Sequence, residues 1–155
     1  MKLGDVLKKE RTRRKLTAED VAHQIGITAD QYAEMESGQS AVEEWGPKLA
    51  LIAIRLKTPT SRLIAETGKS AQASPADGQC GKLISSNRQK RGISVNELAQ
   101  DLGMPPSELE SIESGSTQLE TYAPLLLSFA ETVDQPIFNL FYPCGLPLDR
   151  LTDYP

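Results

Sequence analysis

The stretch Thr17-Ala18-Glu19-Asp20-Val21-Ala22-His23-Gln24-Ile25-Gly26-Ile27-Thr28-Ala29-Asp30-Gln31-Tyr32-Ala33-Glu34-Met35-Glu36-Ser37-Gly38 decides the fold, because its plan returns at Ser94–Gly115, 77 residues later. Thr17 through Asp20 reads as a capping-box start with Asp in place of Glu or Gln, and Ser94-Val95-Asn96-Glu97 fits that pattern more closely. Ala22-x3-Gly26 then joins two short helices. The small alanine permits close approach, and the glycine suits a left-handed helix end. Thr28 opens the next helix and Gly38 closes it; in the later stretch Pro105-Pro106 supplies the opening.

Working outward, residues 3–64 lie over residues 80–141 without a gap. Fourteen positions are identical, among them Gly4/Gly81, Arg11/Arg88, Arg14/Arg91, Glu36/Glu113, Glu43/Glu120 and Pro47/Pro124. Apolar character persists elsewhere, as at Leu7/Ile84, Val21/Leu98 and Met35/Ile112. Shared glycines, prolines and apolar spacing together point to a duplication. In each copy a first helix carries apolar residues four apart (Leu3, Leu7), a fourth helix follows Pro47 or Pro124, and a fifth starts near Pro59 or Pro136. The organisation expected is a first domain over 1–67, a linker over 68–79, a second domain over 80–142 and an irregular tail over 143–155. Trp45 and its counterpart Tyr122 are expected to cover the fourth helices from the preceding loops.

Composition narrows the function. The 155 residues are 39% hydrophobic, 25% charged and 5% aromatic, a globular balance whose core rests on Leu, Ile, Val and Ala. The longest apolar run, Leu49 to Ile54, is far short of the ~20 residues that cross a bilayer. With no secretory start, the expectation is a cytoplasmic protein. One histidine and two cysteines leave little for metal or triad chemistry, so no enzyme, cofactor or metal is expected. Cys80 takes the place of Leu3 and reads as core, and a Cys80–Cys144 disulfide is disfavoured in a reducing compartment. His23 reads as exposed.

Arg11 shares the inward face of Leu3 and Leu7, so its charge requires a partner; Glu36 stands 25 residues on, and Arg88 and Glu113 repeat the spacing. These pairs, with Ala-x3-Gly twice, resemble the phage-repressor-like (Cro-like, XRE-type) helix-turn-helix family over residues 3–66 and 80–142. The resemblance implies an all-α chain of two tandem five-helix lambda-repressor-like domains. It implies ion pairs Arg11–Glu36 and Arg88–Glu113 joining first and third helices, a third helix in the DNA major groove, and a dimer contact at the fifth helix.

Carried onto this chain, the base-reading positions are Ala29, Asp30 and Glu34, then Pro106, Ser107 and Ser111. None is Arg, Lys, Gln or Asn, the side chains that best recognise purine edges. Residues 1–68 hold eleven Lys+Arg against ten Asp+Glu, a net of +1, whereas the remainder carries −5. Double-stranded DNA is therefore expected mainly at the first copy. Thr17, Thr28, Gln31 and Gln39 would make polar contacts there, with Arg13, Arg14 and Lys15 on phosphates; Ser94 and Ser107 would help in the second. The rival reading of the run Lys8–Lys15 is a solvated helix face whose basic end complements the helix dipole. A rival function is a protein-interaction module presenting Asp30, Glu34, Glu108 and Glu110 to a basic partner. Phe138, Phe141 and Tyr142 read either as an interface, between copies or in a homodimer, or as core covered by Leu146 and Leu148.

Overall fold

The computed structural model describes residues 1–145. The expected cover from Leu146 and Leu148, and most of the tail, lie outside the described residues. Among the described residues every regular element is helical, so the chain is all-α as its periodicity predicts. In chain order the α-helices are α1 (Leu3–Arg13), α2 (Ala18–Ile25), α3 (Ala29–Ser37), α4 (Val42–Leu56), α5 (Gln79–Lys90), α6 (Val95–Leu102), α7 (Pro106–Glu113), α8 (Leu119–Thr132) and α9 (Phe138–Phe141). Helices α2 and α6 are offset by the repeat length of the sequence, and the others match within a residue or so at each end.

Local chemistry explains the boundaries. Thr17 and Ser94 accept from the backbone amides of Asp20 and Glu97, whose carboxylates accept in return from the amides of the caps. Thr28 and Gln31 form the same reciprocal pair at the start of α3. Gly26 and Gly103 close α2 and α6 at φ of 80° and 70°. The amides of Ile27 and Met104 then bond the carbonyls of Ala22 and Ala99, a Schellman closure.

The fourth helices start earlier than the prolines led us to expect. Helix α4 begins at Val42 and α8 at Leu119, five residues ahead of Pro47 and Pro124. Each proline removes one intrahelical donor, but burial of Val42, Trp45 and Gly46, and of Leu119 and Ala123, holds that first turn in the core. Trp45 and Tyr122 therefore belong to the helices, not to loops before them. The fifth elements are shorter than expected: a 3₁₀ turn over Thr60–Leu63 in the first copy, and the single turn α9 in the second. The expected linker contains a further 3₁₀ turn, Ser70–Gln72, pinned to α8 where the amide of Ser70 donates to Glu131 at 2.9 Å.

The two copies share one continuous hydrophobic core. Helix α4 packs against α8, α2 against α8, and α4 against α6. The fifth elements are exchanged, since the Thr60–Leu63 turn packs on α5 while α9 packs on α1. The α2–α8 contact is thus mirrored by α4–α6, and that of α5 with the Thr60–Leu63 turn by α1–α9, a pattern like that of an isologous dimer held within one chain. Phe141 is fully buried beside Gly46 and Leu3 of the first copy, and Tyr32 of α3 stacks on Phe129 of α8 with ring centroids 6.2 Å apart.

Candidate nucleic-acid interface

The frame that positions α3 rests on Arg11. Its Nε donates to Glu36 Oε2 at 2.6 Å and its Nη2 to Glu36 Oε1 at 3.1 Å, while Nη1 donates to the carbonyl of Leu16 at 2.9 Å. One guanidinium therefore ties α1, the turn before α2, and α3. Arg88 repeats this with Glu113 at 2.7 and 3.0 Å and the carbonyl of Ile93 at 2.9 Å. The side chains are 10–16% exposed, so the fork-to-fork geometry offsets partial desolvation. The carboxylate bonds hold both guanidinium pKa values above their usual one. Burial, then the neighbouring Glu36, pushes the Tyr32 phenol far above its ordinary value.

A second duplicated device escaped the sequence reading. Glu43 of α4 accepts from the amides of Leu3 (3.0 Å) and Gly4 (2.6 Å), capping α1 from another helix. Glu120 does the same for Cys80 (3.1 Å) and Gly81 (2.8 Å). Burial raises the pKa of Glu120, and the two amides oppose that shift. The identity Glu43/Glu120 was its visible sign, but a cap delivered across some 40 residues has no local signature. Gly4 and Gly81 are explained as well: a Cβ on Gly4 would lie 2.6 Å from the carbonyl oxygens of Met35 and Glu36, so α1 and α3 approach closely there.

On this frame α3 presents Ala29, Asp30, Gln31, Ala33 and Glu34 outward, all exposed. Helix α7 presents Pro106, Ser107, Glu110 and Ser111. The hydroxyl oxygens of Thr17, Thr28 and Ser94 accept helix-cap bonds, and Gln31 Oε1 accepts from the amide of Thr28. Two hydrogen bonds to Thr17, at its amide and then its hydroxyl, lower the pKa of Asp20. Gln39 and Ser107 are exposed and carry no such duty. Lys8, Lys9, Arg13 and Lys15 line the exposed side and end of α1, with Arg13 beside Glu10 at 3.4 Å.

Arg14 departs from its expected place on phosphates. Its Nε donates to the carbonyl of Val133 at 2.8 Å and its Nη2 reaches Asp134 Oδ2 at 3.3 Å, at the C-terminal end of α8. Arg91 reciprocates by donating to the carbonyl of Lys57 at 2.8 Å, at the end of α4. Glu108 is likewise drawn away from an outward acidic face. It pairs at 2.6 Å with Lys48, whose ammonium also meets Glu44 at 3.2 Å and lies 4.7 Å from the centre of the Trp45 ring. Of the aromatic end, Phe141 is in the seam between copies, Phe138 is half-buried and Tyr142 is exposed. The contact expected of a homodimer is thus made by Phe141 within the chain. Cys80 is buried as expected and Cys144 is partly so; both are free thiols. His23 is exposed.

Among the described residues no group of three or more His, Cys, Asp or Glu is placed to hold a metal, and no helix is long and apolar enough to cross a membrane. Comparison with family models, curated proteins and solved structures returned no match.

Proposed function

We propose that this chain is a transcriptional regulator of the Cro-like helix-turn-helix type that binds double-stranded DNA mainly through its first copy, acting in the cytoplasm and without enzymatic chemistry. The observation that carries the reading is the frame around Arg11 and Glu36, which holds α3 against α1 while the outer face of α3 and the cations along α1 are exposed. Gln31, whose side-chain amide nitrogen remains available, and Gln39 would supply polar contacts. Lys8, Lys9, Arg13 and Lys15 would neutralise phosphates, which supply most nonspecific affinity. Arg14 leaves that set because it serves the seam.

A second reading is favoured by one specific observation: neither third helix carries Lys or Arg, while Asp30, Glu34 and Glu110 are exposed. Such faces suit a basic protein partner better than a polyanion.

Fluorescence anisotropy with mixed-sequence duplex DNA separates the two. The DNA reading expects binding at micromolar protein in ~50 mM salt, weakening steeply towards ~200 mM. Replacing both Arg13 and Lys15 with Ala should reduce the slope of log affinity against log salt by roughly 2. Absence of binding at low salt refutes the DNA reading and leaves the protein-partner reading standing.

A further inference from the structure

A cavity of about 470 Å³ opens at the seam, between the end of the first copy and the C-terminal end of α8. Its apolar lining is Leu127, Ala130, Ile137 and Phe138, the first three buried. The first copy and linker contribute Ser61, Thr67, Gly68 and Lys69. Volumes of ~300–1,000 Å³ are usual for small-molecule sites.

The polar rim is informative because it carries charges of both signs, Lys69 against Glu131 and Asp134. Lys69 is exposed and, among the described residues, forms no ion pair. Glu131 accepts from the amide and hydroxyl of Ser70, two neutral donors, so its negative charge lacks a cation. Asp134 shares Arg14 with the carbonyl of Val133. Lys69 and Glu131 line the same cavity without bonding each other. A ligand of one sign would satisfy one of them and oppose the other. A ligand carrying both signs on one end, with an apolar body set against the apolar wall, would meet both Lys69 and Glu131.

We infer that this seam cavity binds a small apolar zwitterion, an α-amino acid with an aromatic or branched side chain. Its carboxylate would face Lys69, its ammonium Glu131, and its side chain the apolar wall. The site joins parts of both copies, and it is independent of whether the chain binds DNA.

The test is isothermal titration of the full chain with L-phenylalanine, alongside phenylacetate, which lacks the ammonium, and phenethylamine, which lacks the carboxylate. Saturable binding of L-phenylalanine is expected, with each truncated compound at least about tenfold weaker, the loss of one charge-assisted contact. Lys69→Glu alters an exposed side chain, so the fold should be retained, and it should abolish L-phenylalanine binding while leaving the far-ultraviolet dichroism unchanged. No heat from L-phenylalanine at ~10 mM, equal affinity for all three compounds, or unaltered binding by Lys69→Glu would each overturn the assignment.

Discussion

Arg14 and Arg91 show how one residue type serves two purposes within a single repeat. Three positions after the guanidinium that clamps its own third helix, each copy carries a second arginine that reaches the other copy. There it meets the carbonyl end of a fourth helix, where the helix dipole is negative and the last carbonyls need donors. Arg14→Ala should therefore lower stability by about 1–2 kcal/mol, as the loss of charge-assisted bonds at a partly exposed site. Because Arg91 acts at the opposite end of the seam, Arg14→Ala and Arg91→Ala should add to within ~0.5 kcal/mol. Urea unfolding of the single and double variants measures both points, and a neutral double variant would deny the clamps any role. A smaller prediction concerns Lys57, which holds φ of 51° after α4, a conformation that costs L-residues ~1–2 kcal/mol. Lys57→Gly should raise the urea midpoint by about 0.5 kcal/mol of stability, after the extra entropy that glycine loses on folding. An unchanged or lower midpoint would contradict it.

Elements were legible where their signals are local. The caps at Thr17, Thr28 and Ser94 and the turns at Gly26 and Gly103 were all visible as short patterns, and the structure has them where the spacing puts them. Proline misled at the fourth helices, because a lost hydrogen bond weighs less than a turn of buried side chains. Glycine shows the same competition. In a helix, Gly→Ala ordinarily gains up to ~1 kcal/mol. At Gly4 the added methyl would instead meet two carbonyl oxygens of α3 at 2.6 Å, and overpacking of that kind costs about 1–3 kcal/mol. Gly103 has open space around it and suffers only the left-handed penalty, about 1 kcal/mol. Gly4→Ala should thus be the more destabilising of the two in thermal melts, and the reverse order would mean that α1 and α3 do not cross at Gly4.

For the whole molecule, the repeat was plain in the sequence but the relation between its copies was not. Nothing local says that Phe129 will stack on Tyr32, that α9 will cover α1, or that Glu108 will be taken by Lys48; each depends on residues 60 or more positions away. The same distance hid the true post of Arg14 and made the twelve-residue segment 68–79 look like a plain tether. The ion pairs Arg11–Glu36 and Arg88–Glu113 were legible because a charge on an apolar face must find a partner, and the family resemblance implied which one. Function was the least legible, because the exposed outer faces of α3 and α7 are not constrained by the packing of the fold.

The central claim is that both copies fold as one body across a reciprocal seam. Each copy carries its own natural reporter: Trp45, the sole tryptophan, in the first, and the buried Cys80 thiol, held well above its usual pKa by desolvation, in the second. Urea unfolding followed by Trp45 fluorescence and by trapping of Cys80 should give a single coincident transition, as a two-state body requires. Separate midpoints, with one copy melting while the other stays intact, would contradict the account.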